Sequence, residues 1–295
     1  MNIIFDSIKY QPSRSLKHRG FHFVASAVVT FLLGAVYCNA QESTWFVDQD
    51  LVLQQGTALS REYLDRNNPD FANQITNYLQ WVVRIEVRHS FTPQGYSSNH
   101  GTGVILSAGR VLTARHVLEE NVKGERLDFV VTRGDGRVVS AKLIRRGKTD
   151  WALLELQDLD GNPDIEGAKL APETAALNET TVVAGYPARQ GLDRGGSVET
   201  FQNAEPSKGQ RASSLAPALV VLSIDESAPS QQGSLLLKPV AGFPPVGGMS
   251  GGPIFNLKGE VLGVQVSVSK TQDQNGKVLH YRINGVSPVL VSQSD

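Results

Sequence analysis

The chain has 295 residues, enough for one large or two medium domains with a sizeable core. Hydrophobic residues make up 40% and charged ones 19%, values of neither a disordered chain nor a bundle of membrane helices. The formal net charge of −1 lacks the basic excess of a nucleic-acid footprint, so no nucleic acid is expected as a partner. With 28 glycines, 14 prolines and many short Val/Leu/Ile runs, the composition favours an all-β fold rich in turns.

Residues 1–40 differ from the rest. Lys9, Arg14, Lys17, His18 and Arg19 precede an apolar run from Phe21 to Tyr37, followed by small residues at Cys38 and Ala40. This pattern predicts a signal peptide cut before Gln41. The alternative is an uncleaved anchor that tethers the protein to a membrane through residues 21–37. Cys38 is the only cysteine, so cleavage leaves no disulfide, no thiol nucleophile and no thiolate metal site. An exported chain without disulfides is expected in a bacterial periplasm or extracellular space. Removing residues 1–40 takes away four Lys/Arg and one Asp and leaves a mildly acidic protein.

Residues 41–80 read as an N-terminal extension. No element is assigned over 41–66. Asn68-Pro69 then supplies an N-cap and a first-turn proline, and Phe71, Ile75, Tyr78 and Leu79 form one apolar stripe. A helix packed on the outside of a sheet is expected there. From Trp81 the pattern becomes alternation. Strands are predicted over 81–88, 101–106, 110–113, 127–132, 137–144 and 151–156. Residues 90–100 are expected as a polar loop, and Gly134-Asp135-Gly136 as a hairpin turn. This first block spans 81–165, with the polar stretch 157–169 as linker. The second block, 166–295, has strand signals over 181–186, 219–222 and 235–237. A hairpin follows around Ile254-Phe255 and residues 261–266. Between them, residues 187–217 form a long loop rich in Gly, Ser, Arg and Gln. So many short strands at regular spacing indicate barrels or sandwiches.

Chemistry concentrates in Gly247-Gly248-Met249-Ser250-Gly251-Gly252-Pro253. Glycines at this density permit a tight turn whose backbone N–H groups converge, with the Ser250 hydroxyl among them. Serine is a poor nucleophile unless a base and an orienting carboxylate support it. Only His89, His100, His116 and His280 lie beyond residue 40, and His116 stands where the apolar run 111–114 breaks. Asp150 stands just before the run 151–156. Singly, each could be an ordinary strand-end or turn residue; together they supply base, carboxylate and nucleophile. No His/Asp/Glu cluster has metal-ligand spacing, and no phosphate loop or dinucleotide fingerprint occurs, so neither metal nor cofactor is expected.

The segments Gly101-Thr102-Gly103, Thr113-Ala114-Arg115-His116, Asp150-Trp151-Ala152-Leu153-Leu154 and Gly248-Met249-Ser250-Gly251-Gly252-Pro253 resemble the trypsin-like (chymotrypsin-fold) serine proteases. The absence of cysteine beyond Cys38 and the continuation Asn256-Leu257-Lys258-Gly259-Glu260-Val261-Leu262-Gly263 are most similar to the bacterial branch that includes the high-temperature-requirement proteases. The resemblance covers residues 75–290. It implies two six-stranded antiparallel β-barrels preceded by a short helix. It also implies a serine endopeptidase using His116, Asp150 and Ser250 through an acyl-enzyme, with an oxyanion hole from the N–H groups of Gly248 and Ser250. Val264, Gln265 and Val266 are implied to lie near the pocket wall, with an extended protein or peptide substrate pairing along 264–268. Pro244 takes about the place of trypsin's charge-selecting acid, which implies a small or aliphatic residue before the cut. Met249 stands where many relatives have an aspartate that pairs with a new N-terminus, so activation by that ion pair is not expected. Only 27 residues follow Val268, too few for a PDZ domain. From another functional class, a catalytically silent double barrel acting as a binding or sensing module is the alternative.

Overall fold

The computed structural model describes residues 49–92, 95–119, 126–157, 166–173, 176–188, 217–227, 233–274 and 278–287. The predicted signal or anchor at 1–40 and most of the 157–169 and 187–217 stretches lie outside the described residues.

Among the described residues two helices precede the strands, α1 (Gln49–Asn67) and α2 (Pro69–Leu79). Asn68 precedes α2 and Pro69 opens it as predicted, although the asparagine side chain makes no capping hydrogen bond. Phe71 and Ile75 are buried, while Tyr78 and Leu79 pack against the same cluster. Helix α1 falls in the stretch left unassigned. Its sequence has Gly56 inside it and no continuous apolar stripe, so its stability comes from packing on the second barrel rather than from its own pattern.

Twelve strands follow among the described residues. The first six are β1 (Val82–Thr92), β2 (Gly95–Ile105), β3 (Arg110–Thr113), β4 (Leu127–Thr132), β5 (Val138–Arg146) and β6 (Ala152–Leu156). They close into a barrel in the order β1-β2-β3-β6-β5-β4. The loop expected at 90–100 is a correction, because Arg88 pairs with Ser98, His89 with Ser97 and Ser90 with Tyr96. The other six are β7 (Thr180–Gly185), β8 (Ala218–Ser227), β9 (Ser234–Ala241), β10 (Pro253–Phe255), β11 (Val261–Gln272) and β12 (Val278–Val286). These close in the order β10-β11-β12-β9-β8-β7, all pairs antiparallel. Barrel closure gives every strand a neighbour on both sides over at least part of its length, and alternate residues fill the interior.

Three apolar clusters hold these layers. One draws on Val83, Ile85, Val111 and Leu154 of the first barrel, and another on Val220, Leu222, Leu237 and Ile254 of the second. The third joins Val82, Val104 and Leu112 of the first barrel to Val221, Phe255 and Val264 of the second, with Leu64, Phe71 and Ile75 from the helices. The barrels therefore share a buried seam. The predicted chemistry gathers at its edge.

Candidate active site

Strands β3 and β6 are neighbours, with Thr113 opposite Ala152. In an antiparallel pair the chain leaving β3 and the chain entering β6 emerge at the same end. His116, three residues after Thr113, and Asp150, two before Ala152, are brought together for that reason. A 3-10 turn over Arg115–Leu118 carries His116, anchored by the buried Val117 and Leu118. The Asp150 carboxylate takes both available donors. His116 Nδ1 lies 2.8 Å from Oδ2, and the His116 backbone N–H donates to Oδ1 at 2.9 Å. A carboxylate only accepts, so Nδ1 carries a proton, and in the neutral imidazole Nε2 is then the nitrogen with the lone pair that can act as a base. Burial pushes the Asp150 carboxyl up, but the His116 side-chain and backbone hydrogen bonds and the His116 and Arg115 charges outweigh it. The carboxyl is held below its ordinary value.

Ser250 occupies the glycine-rich turn between β9 and β10. Gly251 has φ +84°. A Cβ there would overlap Thr102 O and Thr113 Oγ1 and lie 2.8 Å from Ala114 N. Only glycine lets the turn press this closely on the strand end that leads to His116. The turn is pinned further by Thr102 N–H to Ser250 O at 2.8 Å, Gly251 N–H to Gln265 O at 2.7 Å and Gln265 N–H to Gly252 O at 2.8 Å. The Ser250 hydroxyl donates to Val266 O at 3.3 Å.

Carbonyls on either side of the turn are also held. Ala188 N–H donates to Gly247 O at 2.7 Å and Gly252 N–H to Met249 O at 2.9 Å. All described peptide bonds are trans, so the N–H of the following residue points the opposite way in each case. The Gly248 and Ser250 N–H groups thus turn away from these contacts, and neither has a backbone acceptor among the described residues. Two such amides flanking a hydroxyl suit a developing negative charge.

One contributor was not legible beforehand. Fully buried Thr102, on β2, accepts Tyr186 N–H at 2.9 Å, donates through Oγ1 to Gly248 O at 2.8 Å, and receives Thr113 Oγ1 on its carbonyl at 2.7 Å. It joins both barrels to the turn. The only advance signal was its place between Gly101 and Gly103. Of the three residues expected near the pocket wall, Val264 and Gln265 are buried, and Val266 is half-buried against the seam. Met249 is buried, with its Cβ close to Gly185.

The trypsin-like peptidase domain matches residues 101–264, more than half of the chain and the whole span from Gly101 through Ser250. The chain belongs to the trypsin-like peptidase family. A curated relative, Protease Do-like 2, chloroplastic, of Arabidopsis thaliana, is 25% identical over 205 residues, covering 67% of this chain. The chain spans only 30% of that relative's length. Among solved structures, the Rv3671c protease of M. tuberculosis is similar at 21% identity. Its inactive form gives a TM-score of 0.46 over 75% of this chain and 90% of that one. Its active form gives 0.47 over 74% and 81%. For this trypsin-like peptidase the double-barrel fold rests on its own strand order. No group of His, Cys, Asp or Glu among the described residues could hold a metal, and no described helix is long and apolar enough to cross a membrane.

Proposed function

We propose that this trypsin-like peptidase is a serine endopeptidase in which Ser250, His116 and Asp150 form the catalytic group. The observation that carries the reading is the doubly hydrogen-bonded Asp150–His116 pair beside a turn whose Gly248 and Ser250 amides lack backbone acceptors. Ser250 Oγ leaves the Val266 carbonyl and attacks the scissile carbonyl as its proton passes to His116 Nε2. The Gly248 and Ser250 N–H groups take the oxyanion charge. His116 then gives the proton to the leaving amine, and water releases the acyl group by the same route. No cofactor takes part.

Substrate lies along β11 in this reading. The β10–β11 ladder ends at Pro253↔Val264, and beyond Gln265 that edge of β11 has no partner strand among the described residues. An extended protein or peptide can add there as a strand, which places a peptide bond beside Ser250. Pro244 in place of an acid favours a small or aliphatic residue before the cut. Residues 1–40 export the chain, and the barrels correspond to 81–165 and 166–295, with 41–80 as the helical extension.

Digestion of an unfolded protein such as casein tests the activity. The intact chain should yield internal fragments whose termini report the residue preference, and Ser250→Ala should yield none. Fragments of equal abundance from Ser250→Ala would exclude the mechanism. Uncut substrate with a folded intact chain would return the double barrel to a binding role.

A further inference from the structure

Helix α1 does not merely cover the second barrel. Gly56 lies inside it, although glycine is among the weakest helix formers. A Cβ at this position would overlap the Phe243 ring and lie 2.9 Å from its Cε2. The next residue, Thr57, accepts Leu219 N–H on Oγ1 at 3.2 Å, and one turn along Ser60 Oγ donates to Leu219 O at 2.9 Å. The helix is thus seated on Leu219 near the start of β8. Through the Phe243 ring and a 3.3 Å contact of Ser60 Oγ with Ala241 O it also rests on the end of β9, where the approach to Ser250 begins.

The buried Phe243 is followed by Pro244 and Pro245, whose rings fix φ and stiffen the connection. Val246 comes next, and its carbonyl accepts Met249 N–H at 3.1 Å. Gly247 O is held by Ala188 in turn. A displacement at Phe243 therefore reaches the peptide that orients Gly248 N–H within a few residues. We infer that helix α1 braces the nucleophile turn, with Gly56 and Phe243 as its positioning contact. The inference rests on the peptidase reading for its kinetic consequence, but not for its structural one.

The test uses the full chain with Gly56→Ala, Gly56→Ala/Phe243→Leu and, as a control, Val131→Ala in the first-barrel core. Peptide turnover is measured beside amide exchange over residues 246–251. For Gly56→Ala, kcat should fall about tenfold or more, toward the 10²–10³ loss of one oxyanion donor, while KM moves less than about threefold. Exchange at 246–251 should quicken while β1–β6 keep their protection, and shrinking the ring in the double variant should restore most of both. Val131→Ala should lower Tm without quickening exchange in the turn. Unchanged exchange at 246–251 in Gly56→Ala, or a defect that Phe243→Leu does not relieve, would overturn the brace. Absence of turnover by the intact chain would instead contradict the peptidase reading, and the exchange measurement would still decide the brace.

Discussion

Thr102 and Asp150 place the strictest demands of any single side chains around the turn. The Thr102 hydroxyl accepts from the buried Tyr186 N–H and donates to the half-buried Gly248 carbonyl. Thr102→Val keeps the shape but leaves Tyr186 N–H without its acceptor and Gly248 O without its donor. Leaving buried groups unpaired costs about 1–3 kcal/mol, so urea unfolding should show a loss of that order, with turnover falling further than stability explains. Thr102→Ser should recover both. Asp150→Asn should cut kcat about 10⁴-fold, because the amide cannot hold the same imidazole tautomer. Its effect on stability has a defined sign. The carboxyl is held low in the folded state, so its contribution is fully present above the ordinary value of about 3.9 and is lost as pH falls through the lower folded value. The difference in urea midpoint between the unaltered chain and Asp150→Asn should therefore shrink on acidification below about pH 4. A difference that grows in acid would contradict it. His116 and Asp150 draw notice in the sequence because each stands where an apolar run breaks or begins, and Ser250 because it lies among glycines. Thr102 could not, since a threonine in a strand is ordinary and its role depends on a turn 146 residues away.

At the level of elements, legibility followed periodicity. Strands with one apolar face, such as β6, were expected within a residue or two of where they lie. The start of β2 was missed because residues 95–100 are nearly all polar and offer no alternation, yet they pair with β1 across several positions. Strand β12 was missed because His280, Arg282 and Asn284 dilute its pattern, although β11 and β9 flank it on both sides. Helix α1 was missed because its contacts are specific rather than periodic: one glycine against a ring and one hydroxyl on a carbonyl. Its fully buried Leu64 belongs to the cluster that joins both barrels. Leu64→Ala should cost about 2–5 kcal/mol, seen as a lower denaturation midpoint without loss of two-state behaviour. A change below about 0.5 kcal/mol would mean that α1 is a surface attachment only.

For the whole molecule, the sequence carried the two-barrel architecture through strand number and resemblance, but not the pairing order. That β3 lies beside β6, and not beside β4, is what joins His116 to Asp150, and no local pattern encodes it. Nor did it encode the seam where Thr102 from one barrel meets the Ser250 turn of the other. A site assembled at such a seam depends on both barrels at once. The measurement that tests the central claim most directly is labelling of the purified chain by a fluorophosphonate serine probe, beside Ser250→Ala and His116→Ala. Covalent label on Ser250 in the intact chain, lost in both variants, is the predicted result. Label that persists in His116→Ala at the intact rate, or none on a demonstrably folded intact chain, would contradict it.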